Sequence, residues 1–247
     1  MAPVIPGSAG KSTKMDVAVT HGATRRRLLT VPAIAGVAYT LSWTIGLSVA
    51  APSPKFAASG AAIVSALTDH GPAVATQFGF EEGLPAAGLA MVSIALAQAG
   101  SRSGAVATAR FAAIAAGLVA ASISLVQFAL GLALARSAGP GAAHALYAAI
   151  NRLDGAKMLA LAVFGAAGAA SLLLPRWLRV TGIALAITIA ASGPAYLLLL
   201  QPLAPLAYVS GVLLLVFVTG TGIALGMRAR PAMERPEAGV ELLKGKP

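Results

Sequence analysis

Five charged residues stand where charge is costly. Glu81, Glu82, Arg152, Asp154 and Lys157 all border long apolar stretches, and ionisable groups at membrane depth are expensive and often functional. Adjacent carboxylates shielded from water can bind a proton or a cation. Consecutive residues of a helix point about 100° apart, so Glu81 and Glu82 do not converge by themselves. The competing reading is interfacial. Asp154 then pairs with Lys157, a glutamate pairs with Arg152, and the charges only mark helix ends. Gln127 stands deep in an apolar run with Ser122 and Ser124. An amide there either lines a polar path or hydrogen-bonds to a neighbouring helix, for under ~2 kcal/mol.

Other chemistry has little to stand on. The chain has no Cys, which excludes disulfides, thiolate metal sites and thiol nucleophiles. It carries no HExxH, no P-loop, no dinucleotide fingerprint and no GxSxG elbow, so no enzyme or cofactor is expected. His21, His70 and His144 fall in a tail and in loops, not inside an apolar stretch where a haem ligand would stand. His70 and His144 could meet on one face, but two dispersed histidines are more often surface residues than a metal site.

The elements that must position these residues follow from composition. Of 247 residues, 57% are hydrophobic and 11% charged. A soluble domain has about 45–50% and ~25%, so this chain exceeds what one water-soluble core can bury. A helix needs about 20 apolar residues to cross ~30 Å of hydrocarbon. Six uncharged stretches meet this: 28–50, 83–100, 111–135, 158–175, 180–201 and 204–226. They are about twice the length of a barrel strand and do not alternate. The fold predicted is an all-α bundle of six transmembrane helices over residues 25–227. Residues 1–24 and 228–247 read as disordered cytoplasmic tails.

Charge gives the orientation. With both ends inside, the cytoplasmic segments hold fourteen Lys and Arg and the outer segments four, Lys55, Arg136, Arg152 and Lys157. Cations are retained on the cytoplasmic side during insertion. The acids divide evenly, so the formal +10 falls wholly on the inner side. That distribution fits anionic lipid at the cytoplasmic face and argues against nucleic acid as a partner. Arg outnumbers Lys twelve to six, and Ala and Gly are abundant, a bias of GC-rich bacterial genomes. The location expected is therefore the inner (plasma) membrane. Thr24-Arg25-Arg26-Arg27 resembles a twin-arginine signal, with Ser48-Val49-Ala50 as a cleavage site. The apolar run is longer than a signal's usual ~7–15 residues, so a retained first span is expected.

Two short amphipathic helices are expected on the outer face. One lies within 56–70, broken by Gly71-Pro72. The other follows the turn 137–141, where His144, Tyr147, Asn151 and Asp154 share one face. Residues 73–80 are apolar enough to begin span two early, which would set Glu81 and Glu82 below the outer surface. Trp177 is a plausible interfacial anchor. Ser192-Gly193-Pro194 should kink span five. Pro85 and Pro194 do not occupy corresponding positions, so an inverted repeat is unsupported. Gly222-xxx-Gly226 and Ala113-xxx-Gly117-xxx-Ala121 are small-residue contact faces, open to helix packing or to a second copy of the chain.

The run from Tyr147 through Asn151, Arg152, Asp154, Lys157 and Met158 to Ala162 resembles a segment of multi-pass actinobacterial membrane proteins grouped as a domain of unknown function. The layout is also similar: one span, an outer amphipathic segment, then paired spans. The resemblance implies the fold and brings no activity. Two function classes are left. One is a non-catalytic membrane component such as a regulator or accessory subunit. The other is a small transporter or channel-like protein using the outer carboxylates.

Overall fold

The computed structural model describes residues 31–49, 53–67, 70–99, 104–137, 139–203 and 205–228. Residues 1–24 and 229–247, Ala50 of the cleavage motif and Asp69 lie outside the described residues, as do ten of the fourteen inner cations. All the regular structure described is helical. The six long helices are α1 (Val31–Ser48), α3 (Gly71–Gln98), α4 (Gly104–Leu134), α5 (Pro140–Ala170), α6 (Arg176–Leu197) and α7 (Leu206–Arg228). A short helix, α2 (Gly60–Leu67), lies between α1 and α3. All six are long and apolar enough to cross a membrane, which fits a multi-pass membrane protein.

Each long helix packs on the next, and α7 returns to α1, so the six close into a ring. Hydrocarbon gives helices little reason to associate through apolar surface alone. Close approach and interhelical hydrogen bonds must do it. The α5–α6 seam shows how. A Cβ at Gly155 would come within 2.7 Å of the Gly193 carbonyl oxygen, and one at Gly165 within 2.8 Å of the Gly182 oxygen. Only glycine allows the backbones this near. Along α1 and α7 a chain of hydroxyls adds to the contact. Thr40 Oγ1 and Thr219 Oγ1 lie 2.6 Å apart, and Thr219 donates to the Gly36 carbonyl at 2.9 Å.

The small-residue faces seen in the sequence are spent inside this ring. Ala113, Gly117 and Ala121 are all buried, with Gly117 against Ser93 and Phe164. Gly222 and Gly226 are buried too, with Gly222 against Pro32 and Gly36 of α1.

One end of the bundle is marked by arginine. Arg110 of α4 donates to the carbonyls of Leu96 and Ala97, the last turn of α3. Arg179 of α6 donates to the Ala169 carbonyl at 3.2 Å, the last turn of α5. A helix C-terminus has unpaired carbonyls and a partial negative charge, so a guanidinium serves both needs. The opposite end carries the loops. There Tyr147 donates its hydroxyl to the Pro54 carbonyl, the Phe56 amide donates to Gln201 Oε1 at 3.0 Å, and Phe56 meets Tyr196 edge-on.

Two helices start earlier than the apolar runs alone indicated. Span two begins at Gly71, twelve residues before Gly83, with Pro72 in its first turn where a missing N–H costs nothing. The amphipathic segment from residue 140 and span four form a single helix of 31 residues. Its Asp154 and Lys157 turn toward the bundle while His144 and Arg152 are exposed, and this needs no break in the backbone. The first amphipathic segment is a separate helix, α2, whose Ile63 and Leu67 pack with Val74, Leu134, Ala143 and Ile150. A second, larger apolar core includes Leu89, Val92, Leu96, Phe164, Leu185 and Phe217.

Candidate functional site

Between these two cores, α3, α4 and α5 bring their polar residues together. The first step is a proline. Pro85 has no N–H to donate. Around it α3 widens into a π-turn over Gly79–Gly83, where Leu84 N–H reaches the Gly79 carbonyl five residues back. The donor five residues after Phe80 would be Pro85 itself, so the Phe80 carbonyl has no partner in that pattern. Ser42 of α1 supplies one, donating its hydroxyl at 2.7 Å. Pro85 thus frees a carbonyl, and a neighbouring helix satisfies it. π-turns are rare and cluster at functional sites.

This turn holds both glutamates and sends them apart. Glu81 accepts from Gln77 Nε2 at 3.0 Å and lies over Gly46 of α1, where a Cβ would come within 2.5 Å of its Cγ. Glu82 points into the ring, 6% exposed. There it meets Lys157 of α5, whose Nζ donates to both Glu82 oxygens, at 2.7 and 2.9 Å. The same Nζ lies 2.8 Å from Asp154 Oδ1, three residues back on α5. Ser124 of α4 is buried beside Glu82. Lysine has three N–H donors, and these three oxygens account for them.

Gln127 completes the group. It is 1% exposed. Its Nε2 donates to the Ile150 carbonyl at 3.1 Å and to Asp154 Oδ1 at 3.4 Å. Its Oε1 is buried with no hydrogen-bond partner. Tyr39 of α1 is buried close by, within electrostatic reach of Lys157, Glu82 and Asp154. Tyr196 of α6 feels Asp154 and Lys157 in the same way.

Of the six residues singled out from the sequence, Glu82, Asp154, Lys157 and Gln127 meet in one cluster. Glu81 is its neighbour on the α1 side. Arg152 stands apart. It is exposed, and the ion pairs among the described residues are Lys157–Glu82 and Lys157–Asp154. The expected pairing of a glutamate with Arg152 is therefore corrected. Arg152 and Lys157 are five residues apart on α5 and cannot share a face, and it is Lys157 that faces the ring. His70 and His144 are both exposed, and no metal-holding group of three or more His, Cys, Asp or Glu occurs among the described residues.

No family model, curated protein or solved structure matches the chain. The site must speak through its own chemistry.

Ser42, Ser124 and Tyr39 escaped the sequence reading. Ser124 was noticed only as a neighbour of Gln127. The signal that could have found Ser42 is Pro85, which guarantees an unpaired carbonyl nearby. Tyr39 carries no such signal. Two cavities lie outside the ion cluster, the first of them reaching Ser42. One of about 420 Å³ opens between α1 and α3, lined by Val31, Ile34, Ala38 and Leu84 among others. The other, about 440 Å³, lies at the arginine end by Pro32, Gln98, Leu173 and Arg228.

Proposed function

We propose that this chain is a multi-pass protein of a bacterial plasma membrane, with both ends in the cytoplasm, and that it acts as a small transporter or channel-like protein handling protons. One observation carries the proposal: a buried carboxylate, Glu82, and a part-buried one, Asp154, share a single buried ammonium. With all three groups ionised the cluster holds one uncompensated negative charge. Such a charge at membrane depth is costly unless something neutralises it. A proton is the smallest thing that can. Glu82 lies sixteen residues from the Gln98 end of α3, or ~24 Å at 1.5 Å per residue, which is inside a ~30 Å hydrocarbon layer.

The test is flux. The full chain is reconstituted in liposomes under an imposed pH gradient. Wild type is expected to dissipate the gradient faster than protein-free vesicles. Glu82→Gln and Asp154→Asn are expected to return the rate to background. A wild-type rate equal to that of empty vesicles, under both polarities of membrane potential, counts against the proposal.

A second reading rests on the saturation of Lys157. A fully engaged ammonium is also what an assembly lock looks like, and the chain would then be a non-catalytic regulator or accessory subunit. In that case Glu82→Gln lowers stability and leaves proton leakage unchanged. Orientation has its own test. Because the chain has no Cys, single cysteines can be introduced cleanly. Cysteines near Arg176 and Arg228 should react only from the cytoplasmic side, and cysteines near Phe56 and Gly141 only from outside. The cavity beside Arg228 and Gln98 supports anionic lipid as a partner on the inner face.

A further inference from the structure

We propose that the cavity between α1 and α3 binds a lipophilic cation, a primary ammonium on a straight alkyl chain, and that Glu81 receives the ammonium. The site lies on the outside of the ring and stands independently of the proton-handling reading. It requires only that α1 and α3 span a membrane.

The argument starts from an apolar slot of about 420 Å³. Its floor is Ala35 and Gly88, both buried, with so little space between the helices that a Cβ on Gly88 would come within 2.9 Å of the Ala35 carbonyl oxygen. Its walls include Val31, Ile34, Leu84 and Met91, which are 45–61% exposed. The slot therefore opens outward to hydrocarbon and not into the ring. Its α1 lining runs from Val31 to Ser42, or ~16 Å at 1.5 Å per residue, the length of an extended alkyl chain of about twelve carbons. No charged side chain lines it, and its one hydroxyl, on Ser42, is already given to the Phe80 carbonyl.

Glu81 stands just past the loop end of this slot. It lies three residues before Leu84 on α3. On α1 it packs against Gly46, four residues after Ser42, where a Cβ would come within 2.5 Å of Glu81 Cγ. Both helices thus place it one turn beyond the slot's last lining residues. Its carboxylate accepts one hydrogen bond, from Gln77 Nε2 at 3.0 Å, and enters neither of the ion pairs found among the described residues. A carboxylate can accept about four, so most of its capacity is unspent. A carboxylate at membrane depth without a cation is costly. The cluster on the other side of α3 offers no surplus cation, because Lys157 there faces both Glu82 and Asp154.

The two features together specify one ligand. The slot fits an apolar chain, and the carboxylate fits a cation with N–H groups to donate. A chain lying in the slot brings its head to Glu81. Phospholipid is the poorer occupant. Its phosphate would lie beside Glu81, with no basic side chain among the lining residues to receive it. A bare metal ion wants six or so oxygens and makes no use of the slot.

The experiment is equilibrium binding of radiolabelled n-decylammonium to the full chain in phosphatidylcholine nanodiscs, with protein-free discs as the partition blank. Saturable binding is expected in wild type. Glu81→Gln should weaken it about tenfold or more, the worth of a charge-assisted hydrogen bond. Ala87→Leu fills the slot from an exposed lining position without altering the carboxylate, and should weaken it as much. n-Decyl sulfate should not compete. Solid-state NMR with ¹⁵N-decylammonium should show the ammonium coupled to a glutamate side-chain carboxyl, and the coupling should vanish in Glu81→Gln. If Glu81→Gln fails to fold, Ala87→Leu and the wild-type coupling decide. Equal binding by wild type and a folded Glu81→Gln overturns the proposal, as does equal competition by decyl sulfate. Displacement of the probe by phosphatidylethanolamine overturns the choice of occupant. A chain that binds the probe but leaves an imposed pH gradient intact keeps this site and overturns only the proton-handling reading.

Discussion

Removing Lys157 should cost far more than removing Glu82, and removing both should cost less than removing Lys157 alone. The asymmetry comes from the stoichiometry. Lys157→Met strands two carboxylates, Glu82 at 2.7 Å and Asp154 at 2.8 Å from the lost ammonium. Breaking a buried pair by deleting one partner typically costs about 3–5 kcal/mol. Glu82→Gln strands nothing. The ammonium keeps Asp154, and the new amide oxygen can still accept from it, so about 1–2 kcal/mol is expected, the scale of one weakened hydrogen bond. In Lys157→Met, the further change Glu82→Gln takes away a stranded charge. It should therefore restore ~1 kcal/mol or more, since each unpaired buried charge is penalised separately. The assay is reversible unfolding of the four proteins in bicelles, read as a double-mutant cycle. Additive losses, with the double variant the least stable of the four, would refute the reasoning. They would mean that water already screens the cluster.

Three further outcomes follow from the packing. Ser42→Ala should cost about 1–3 kcal/mol by leaving the Phe80 carbonyl without a donor. Adding Pro85→Ala should recover part of it, because the restored N–H lets the π-turn relax; unfolding midpoints of the single and double variants check this. Gly155→Val should loosen the α5–α6 seam by ~1–3 kcal/mol, since even its Cβ would press on the Gly193 carbonyl and the Leu197 amide; faster hydrogen exchange in both helices is the readout. Arg110→Met should cost about 1–2 kcal/mol and fray the last turn of α3, because its carbonyls at Leu96 and Ala97 lose a charged donor; exchange at those residues should rise while α7 is unaffected.

How much of this was legible beforehand differs by residue. The six spans were, because the length and purity of an apolar run are properties of composition. The early start of α3 was too, through the apolar stretch 73–80 ahead of Glu82. Which glutamate turns inward was not. In a membrane helix both the lipid face and the packed face are apolar, so hydrophobic periodicity no longer marks the inside. The rotation of Glu82 is also set by a π-turn that local sequence announces only through Pro85. Asp154–Lys157 could be read from spacing along one helix. The partner of Lys157 on α3 could not, because it depends on how three helices meet. The same applies to Gln127, whose carboxylate and carbonyl partners lie on α5. Reading Arg152 as a glutamate's partner failed for a related reason. It assumed proximity to the surface, where any two charges can meet, whereas the pairing is made in the interior and Arg152 faces out.

The account stands on the ammonium of Lys157 lying against one glutamate and one aspartate inside the bundle. Dipolar-coupled solid-state NMR of the full chain in lipid bilayers, labelled at lysine nitrogen and at carboxyl carbon, reads this directly. Lys157 Nζ should correlate with the side-chain carboxyl of Glu82 and with that of Asp154, and both cross-peaks should disappear in Lys157→Met. A Lys157 signal coupled to water and to neither carboxyl would contradict the cluster and the proton-handling reading built on it.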